Sequence, residues 1–139
     1  MNEYDKQAKD FCDEFDIAVS IEPGRTSGVE LAPAWTQPGE KRGRAYVVTL
    51  RSHRRHYSFA FWGSINDRER GIDPSVYDVL SCLSGDICCP STFEEFCEDY
   101  GYNDDSIKDR RFFKRCDERA QDLREFFLEA EQTALADIV

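Results

Sequence analysis

The sequence predicts an α+β fold: a small antiparallel sheet with helices segregated to one side of it. Three observations carry that expectation. Tyr46, Val48 and Leu50 recur at every second position, as do Tyr57, Phe59 and Phe61, the period of strands with one buried face. From residue 73 onward the apolar period lengthens to three and four, the period of helices. Helix-opening signals, Asp73-Pro74 and Ser91-Thr92-Phe93-Glu94, stand at the head of those stretches. At 139 residues the chain makes one domain with a core of its own. Its parts are an N-terminal helix, strand and Gly/Pro-rich loop (1–43), a β-hairpin (44–62) and a helical half (73–128).

Each element has its own warrant. Tyr4, Ala8, Phe11, Cys12 and Phe15 fall at helical spacing between charged residues, predicting an amphipathic helix over 3–15. Ile17, Val19 and Ile21 then alternate, a short strand stopped by Pro23-Gly24. Gly24, Gly28, Pro33, Pro38, Gly39 and Gly43 mark a long loop, with a short edge strand around Val29–Leu31 and Trp35 as a plug over the core. The hairpin's two strands are joined by the polar, basic link Ser52-His53-Arg54-Arg55-His56. A charged loop, residues 63–71, leads to the helical half.

Asp73 caps the next helix, with Pro74 in its first turn, Val76, Tyr77, Leu80 and Leu83 as its buried stripe and Gly85 at its end. Ser91 and Glu94 form a capping box for a helix through Tyr100, with Phe93, Phe96, Cys97 and Tyr100 facing the core. A last helix runs from Ser106 to about Leu128 on Phe112, Cys116, Ala120, Leu123 and Phe127. The tail to Val139 extends it or frays.

Charge divides the chain. Residues 1–70 hold eleven acids and eleven bases, whereas residues 71–139 hold seventeen acids and seven bases, so the net charge of −10 lies wholly in the second half. Within it, residues 73–105 carry nine carboxylates and neither Lys nor Arg. A solvated helix face ordinarily interleaves both signs. A one-signed tract instead mimics the spaced phosphates of a nucleic acid and suits a partner's Arg and Lys. Glu94, Glu95, Glu98, Asp99, Asp104 and Asp105 are the residues expected to face that partner. The alternative to a partner is a solubilising face.

An opposite patch lies in and around the hairpin, where Arg51, Arg54, Arg55, Arg68 and Arg70 join Lys41, Arg42 and Arg44. It is either a nucleic-acid stripe or a set of solvated arginines covering the sheet, and the domain's overall charge favours the second.

Chemistry finds little support. Cys82, Cys88, Cys89 and Cys97 are separated by five, no and seven residues, without the Cys-x-x-Cys pair of a zinc site. Cys12, Cys97 and Cys116 sit on helical core stripes as small hydrophobes. No phosphate loop, nucleophile elbow or His-Glu-x-x-His motif is present, and the two histidines share one turn. Neither catalysis, cofactor nor metal is expected. No apolar run reaches a membrane span and MNEYDKQAKD is not a signal peptide, so a cytoplasmic setting with reduced thiols is expected.

The tract VTLRSHRRHYSFAFWGSINDRERGIDPSVYDVLSCLS, followed by TFEEFCEDYGYNDDS, resembles a group of small proteins from bacteriophages and mobile elements. Those proteins similarly combine a Tyr-Asp-Val-Leu helix, a Thr-Phe-Glu-x-Phe-Cys helix and a Gly-Tyr-x-x-Asp-Ser link. The resemblance spans residues 47–128 and leaves 1–43 outside. Anti-CRISPR proteins come from the same pool of small acidic phage products. It therefore implies an inhibitor in the cytoplasm of an infected bacterium. Such an inhibitor binds a host defence effector, a CRISPR-Cas subunit or complex, at a basic nucleic-acid groove. The runner-up is a nucleic-acid-binding accessory protein that uses the basic region 41–70.

Overall fold

The computed structural model describes residues 2–24, 44–63 and 69–138. The chain is α+β, and its order among the described residues is α1 (Glu3–Phe15), β1 (Ala18–Pro23), β2 (Ala45–Ser52), β3 (Arg55–Trp62), α2 (Val76–Asp86), α3 (Phe93–Tyr100), α4 (Ile107–Phe126) and α5 (Glu129–Ala136). The expected strand around Val29–Leu31, the Trp35 plug and Arg68 lie outside the described residues.

The three strands form an antiparallel sheet in the order β1-β2-β3. Val19 opposes Leu50 and Ile21 opposes Val48 across one ladder; Tyr46–Phe61, Val48–Phe59 and Leu50–Tyr57 oppose across the other. Alternation thus gathers all of these side chains on one face, and that face is the floor of the main core. Ala8 and Phe11 of α1, Val79, Leu80 and Leu83 of α2, Leu123 and Phe126 of α4 and Leu135 of α5 cover it. A second, smaller cluster of Cys89, Phe93, Phe96, Cys97, Phe112, Cys116 and Ala120 joins α3 to α4.

Several element ends differ from the sequence expectation for identifiable reasons. The hairpin link is shorter than expected: only His53 and Arg54 lie between the strands, with His53 in the left-handed region (φ 51°), and Arg55 and His56 belong to β3. Helix α2 is capped by Ser75, not Asp73. The Asp78 N–H donates to Ser75 Oγ (3.1 Å), and the Ser75 N–H donates back to the Asp78 carboxylate (2.9 Å). That reciprocal pair outcompetes Asp73, which accepts the Tyr46 hydroxyl at 2.7 Å instead. Gly85 lies inside α2, and Val79 joins the stripe fully buried, whereas Val76 and Tyr77 are only half-buried.

Helix α3 is capped by Thr92, whose hydroxyl accepts the Glu95 N–H at 3.2 Å, one residue later than Ser91. Tyr4 and Tyr100, expected in the core, are exposed by 58% and 47%. Tyr4 lies instead against Tyr77, ring centroids 5.0 Å apart. Finally, the last helix does not continue to Leu128. It stops at Phe126, turns through an extended Phe127 and restarts as α5.

Among the described residues no helix is long and apolar enough to cross a membrane.

Candidate protein-binding face

The acidic face is built on α3 and the link that follows it. Phe93, Phe96 and Cys97 bury one side of this eight-residue helix in the second cluster. Phe96 is the hub, with its ring 5.0 Å from Tyr102, 5.1 Å from Phe113, 5.3 Å from Tyr100 and 6.0 Å from Phe112. With that side committed, Glu94, Glu95, Glu98 and Asp99 are left exposed on the other. Gly101 ends the helix at φ 76°, a conformation that costs a side chain about 1 kcal/mol. The N–H groups of Gly101 and Tyr102 both donate to the Cys97 carbonyl.

The link carrying Asp104 and Asp105 is held by hydrogen bonds of its own. Asn103 N–H donates to the Asp109 carboxylate at 3.0 Å, and Asp105 N–H donates to Asn103 Oδ1 at 2.9 Å. Ser106 then caps α4 by accepting the Asp109 N–H. Asp104 and Asp105 are both exposed. All six carboxylates therefore lie on one helix and the fixed turn leaving it.

Their electrostatics are mixed: Glu94 and Glu95 stand in the first turn, where they complement the macrodipole, but the later acids work against the helix. Glu94–Glu98 and Glu95–Asp99 are like-charge pairs four residues apart. Glu98 and Asp99 also stand in the last turn, where the macrodipole is negative and no basic residue is present. Each such conflict costs a few tenths of a kcal/mol, whereas burying one phenylalanine contributes about 2 kcal/mol, so α3 forms on its apolar side. Among the described residues none of the six carboxylates takes part in an ion pair. The nearby Arg110 guanidinium lies over the Phe93 ring, 4.5 Å from its centroid.

The basic patch is broken up. Arg51 is exposed on the outer face of the sheet, opposite His56, and Arg54 is exposed in the turn. Arg70 is exposed as well. Arg55 is turned inward, because alternation places it with Tyr57 and Phe59. Its Nη1 donates to Glu131 Oε1 and to the Phe126 carbonyl, both at 2.6 Å; its Nη2 donates to Ser52 Oγ (2.9 Å) and Glu131 Oε2 (3.0 Å). Burial alone would raise the Glu131 pKa, but Arg55 and the Leu128 N–H outweigh it and hold the carboxyl below its usual range. Arg55 is thus part of the fold's internal wiring.

The cysteines do not assemble a site. All six are free, and among the described residues no group of three or more His, Cys, Asp or Glu is placed to hold a metal ion. Burial pushes the Cys82 thiol up to about 12 and Cys89 up to about 11, with Cys12, Cys97 and Cys116 raised by the same cause. Raised thiols are poor nucleophiles.

A buried ion pair lies between sheet and helices. Arg119 Nη1 is 3.5 Å from Asp86 Oδ2, and its guanidinium sits 4.9 Å from the Phe59 ring centroid. Burial lifts the Asp86 pKa to about 6, against the pull of Arg119 and the Cys82 thiol in the other direction. This pair, like Arg55–Glu131, joins elements far apart in the chain.

Sequence reasoning passed over the first half of α4. Lys108, Arg110, Arg111, Lys114 and Arg115 fall within eight positions that hold a single acid, Asp109. The signal was legible as a charge run, and the negative total of the second half concealed it. No family model, no curated protein and no solved structure matches the chain.

Proposed function

We propose that this protein is an inhibitor that acts by binding, presenting its acidic face to the basic nucleic-acid groove of a partner protein. The observation that carries the reading is a set of six exposed carboxylates, unpaired among the described residues, on α3 and the link after it, with Glu98 and Asp99 kept at the helix C-terminus against the macrodipole. A solubilising face gains nothing from acids at a helix C-terminus, where Lys or Arg would serve equally well and stabilise the helix. A face that must match Arg and Lys spaced for phosphates has a reason to keep them. The fixed 101–106 link supports the reading further, since a preorganised surface loses less entropy on docking.

On the resemblance to phage and mobile-element proteins, the partner class we propose is a CRISPR-Cas effector subunit or complex in the bacterial cytoplasm. Binding there excludes the nucleic acid sterically and requires no chemistry, cofactor or metal from the inhibitor. The test is capture of an effector from host lysate by the tagged protein, at low and high salt and against competing target DNA. Capture lost at high salt, displaced by DNA and abolished by E94K/E95K/E98K supports the reading. Capture that survives all three assigns binding to an apolar surface and overturns it. Recovery of nucleic acid without an effector, lost in R51E/R54E, moves the function to the exposed Arg51 and Arg54.

A further inference from the structure

The first two turns of α4 form a second charged surface, opposite in sign to α3 and next to it. Ile107, Lys108, Arg111, Lys114 and Arg115 recur at the intervals that place residues on one side of a helix. Among the described residues Lys108, Arg111, Lys114 and Arg115 take part in no ion pair. Ile107 is 69% exposed, the most exposed large apolar side chain of the described residues. These five residues and Phe112 line an open depression of about 530 Å³. Arg115 lies over the Phe112 ring, 5.3 Å from its centroid.

We propose that this stripe docks on the acidic face of a second copy of the chain, giving a two-fold dimer in which α3 of each copy lies against α4 of the other. Charge complementarity selects the occupant class: four cations on α4 face Glu94, Glu95, Glu98 and Asp99 on α3. The apolar component selects protein over nucleic acid, because a phosphate backbone satisfies the cations and leaves Ile107 and the depression wet. Tyr100, 47% exposed at the end of α3, lies on the Phe96 side of that helix, its ring centroid 5.3 Å from that of Phe96, and so borders the acidic face rather than standing in it.

Topology supplies the closure. Helices α3 and α4 are neighbours through the Phe93, Phe96 and Phe112 cluster and are joined by the short 101–106 link. In the proposed dimer a two-fold axis near that link pairs each acidic face with the other copy's basic stripe, so that the contact is made twice and the assembly closes. Two chains of net charge −10 repel at a distance, so the attraction is local and weakened by salt. The dimer covers carboxylates that a partner's groove would also take. The two associations exclude one another, and the dimer does not depend on the inhibitor reading.

The test is a charge swap read by sedimentation equilibrium, with circular dichroism confirming that each variant is folded. Wild type is expected to shift from 16.1 kDa toward twice that mass as its concentration rises. K108E/R111E/K114E alone and E94K/E95K/E98K alone are expected to stay monomeric. Mixed in equal amounts, they are expected to recover the dimer, because both contacts regain opposite charges. A wild type that stays monomeric to millimolar concentration overturns the proposal. So does a dimer that both reversals leave intact, or a mixture that fails to associate. A monomer that binds a 20-base-pair duplex, and loses it in K108E/R111E/K114E, overturns it and gives the stripe to phosphates.

Discussion

Arg55 shows how one side chain can change the meaning of a sequence patch. As one basic residue among several it belongs to a charged surface; as a β3 residue in register with Tyr57 and Phe59 it belongs inside. Its guanidinium meets Glu131, Phe126 and Ser52 and lies 5.3 Å from the Phe126 ring centroid. Glu131 is 4% exposed, so removing Arg55 strands a buried carboxylate. Arg55→Met is expected to lower the unfolding free energy by about 3 kcal/mol in urea titrations at pH 7. Because the folded Glu131 pKa lies below its ordinary 4.5, the pair's contribution is present above pH 4.5 and fades as pH falls through the folded value. The gap between wild type and variant should therefore narrow below pH 4.5.

Asp86 behaves in the opposite sense. Its pKa, raised from 3.8 to about 6, means that folding favours the protonated acid. That contribution is fully present below pH 3.8 and is lost as pH rises through about 6; the shift corresponds to about 3 kcal/mol. Asp86→Asn should flatten the stability change measured between pH 7 and pH 5. Alternation made the Arg55 placement readable in the sequence. Nothing in the sequence pairs Asp86 with Arg119, because that contact spans a helix, a link and another helix.

Among the elements, those with a continuous period were legible and their ends were not. Helix α1 and the β2–β3 hairpin follow from the sequence pattern, down to the face on which Val48 and Phe59 meet. The N-caps of α2 and α3 moved because two candidate residues stood side by side, and only the hydrogen bonds distinguish Ser75 from Asp73 or Thr92 from Ser91. The corner between α4 and α5 was illegible for another reason. The groups freed there are satisfied from elsewhere: Arg55 donates to the Phe126 carbonyl, and Gln132 Nε2 donates to those of Arg124 (3.0 Å) and Phe127 (2.8 Å). Periodicity continues smoothly through a break whose partner lies more than seventy residues away. Helix α3 yields the sharpest prediction. Glu98→Lys replaces a like-charge neighbour of Glu94 by an opposite one and places a cation at the helix C-terminus. It should raise stability by about 0.5 kcal/mol by thermal unfolding while weakening partner capture. A variant that loses capture and stability together would instead give Glu98 a structural role.

Among the described residues the molecule has two cores of unequal size sharing one long helix. The larger contains the sheet, α1, α2, α5 and the last turn of α4; the smaller contains Cys89, α3 and α4 from Phe112 to Ala120, with Tyr102 and Phe113 packed on it. The smaller unit encloses fewer apolar groups and should open at lower free energy. Native-state hydrogen exchange tests this: the Phe96 and Cys97 amides should exchange through a partial opening, and the Val48 and Leu50 amides only through global unfolding. Equal opening energies for both sets would make the molecule one cooperative unit. The charge asymmetry was visible in the sequence at this level, but the first half of α4, basic on one side and buried through Phe112 and Cys116 on the other, was not. Net charge sums the two neighbouring helices that the fold sets side by side.

The bond from Arg55 to Glu131 also orders events in time. Synthesis proceeds from the N-terminus, and the hairpin emerges long before residues 126 and 131. Until then the inward guanidinium of β3 has neither its carboxylate nor its carbonyl, and the sheet's inner face lacks the cover of Leu123, Phe126 and Leu135. A ribosome-bound fragment ending before α5 can pair its strands yet cannot close its core. Final folding is therefore expected to wait for α5, and a chain stopped before it leaves uncovered the part of the sheet's inner face that Leu135 and Ile138 help to close, although α1 and α2 already cover the rest.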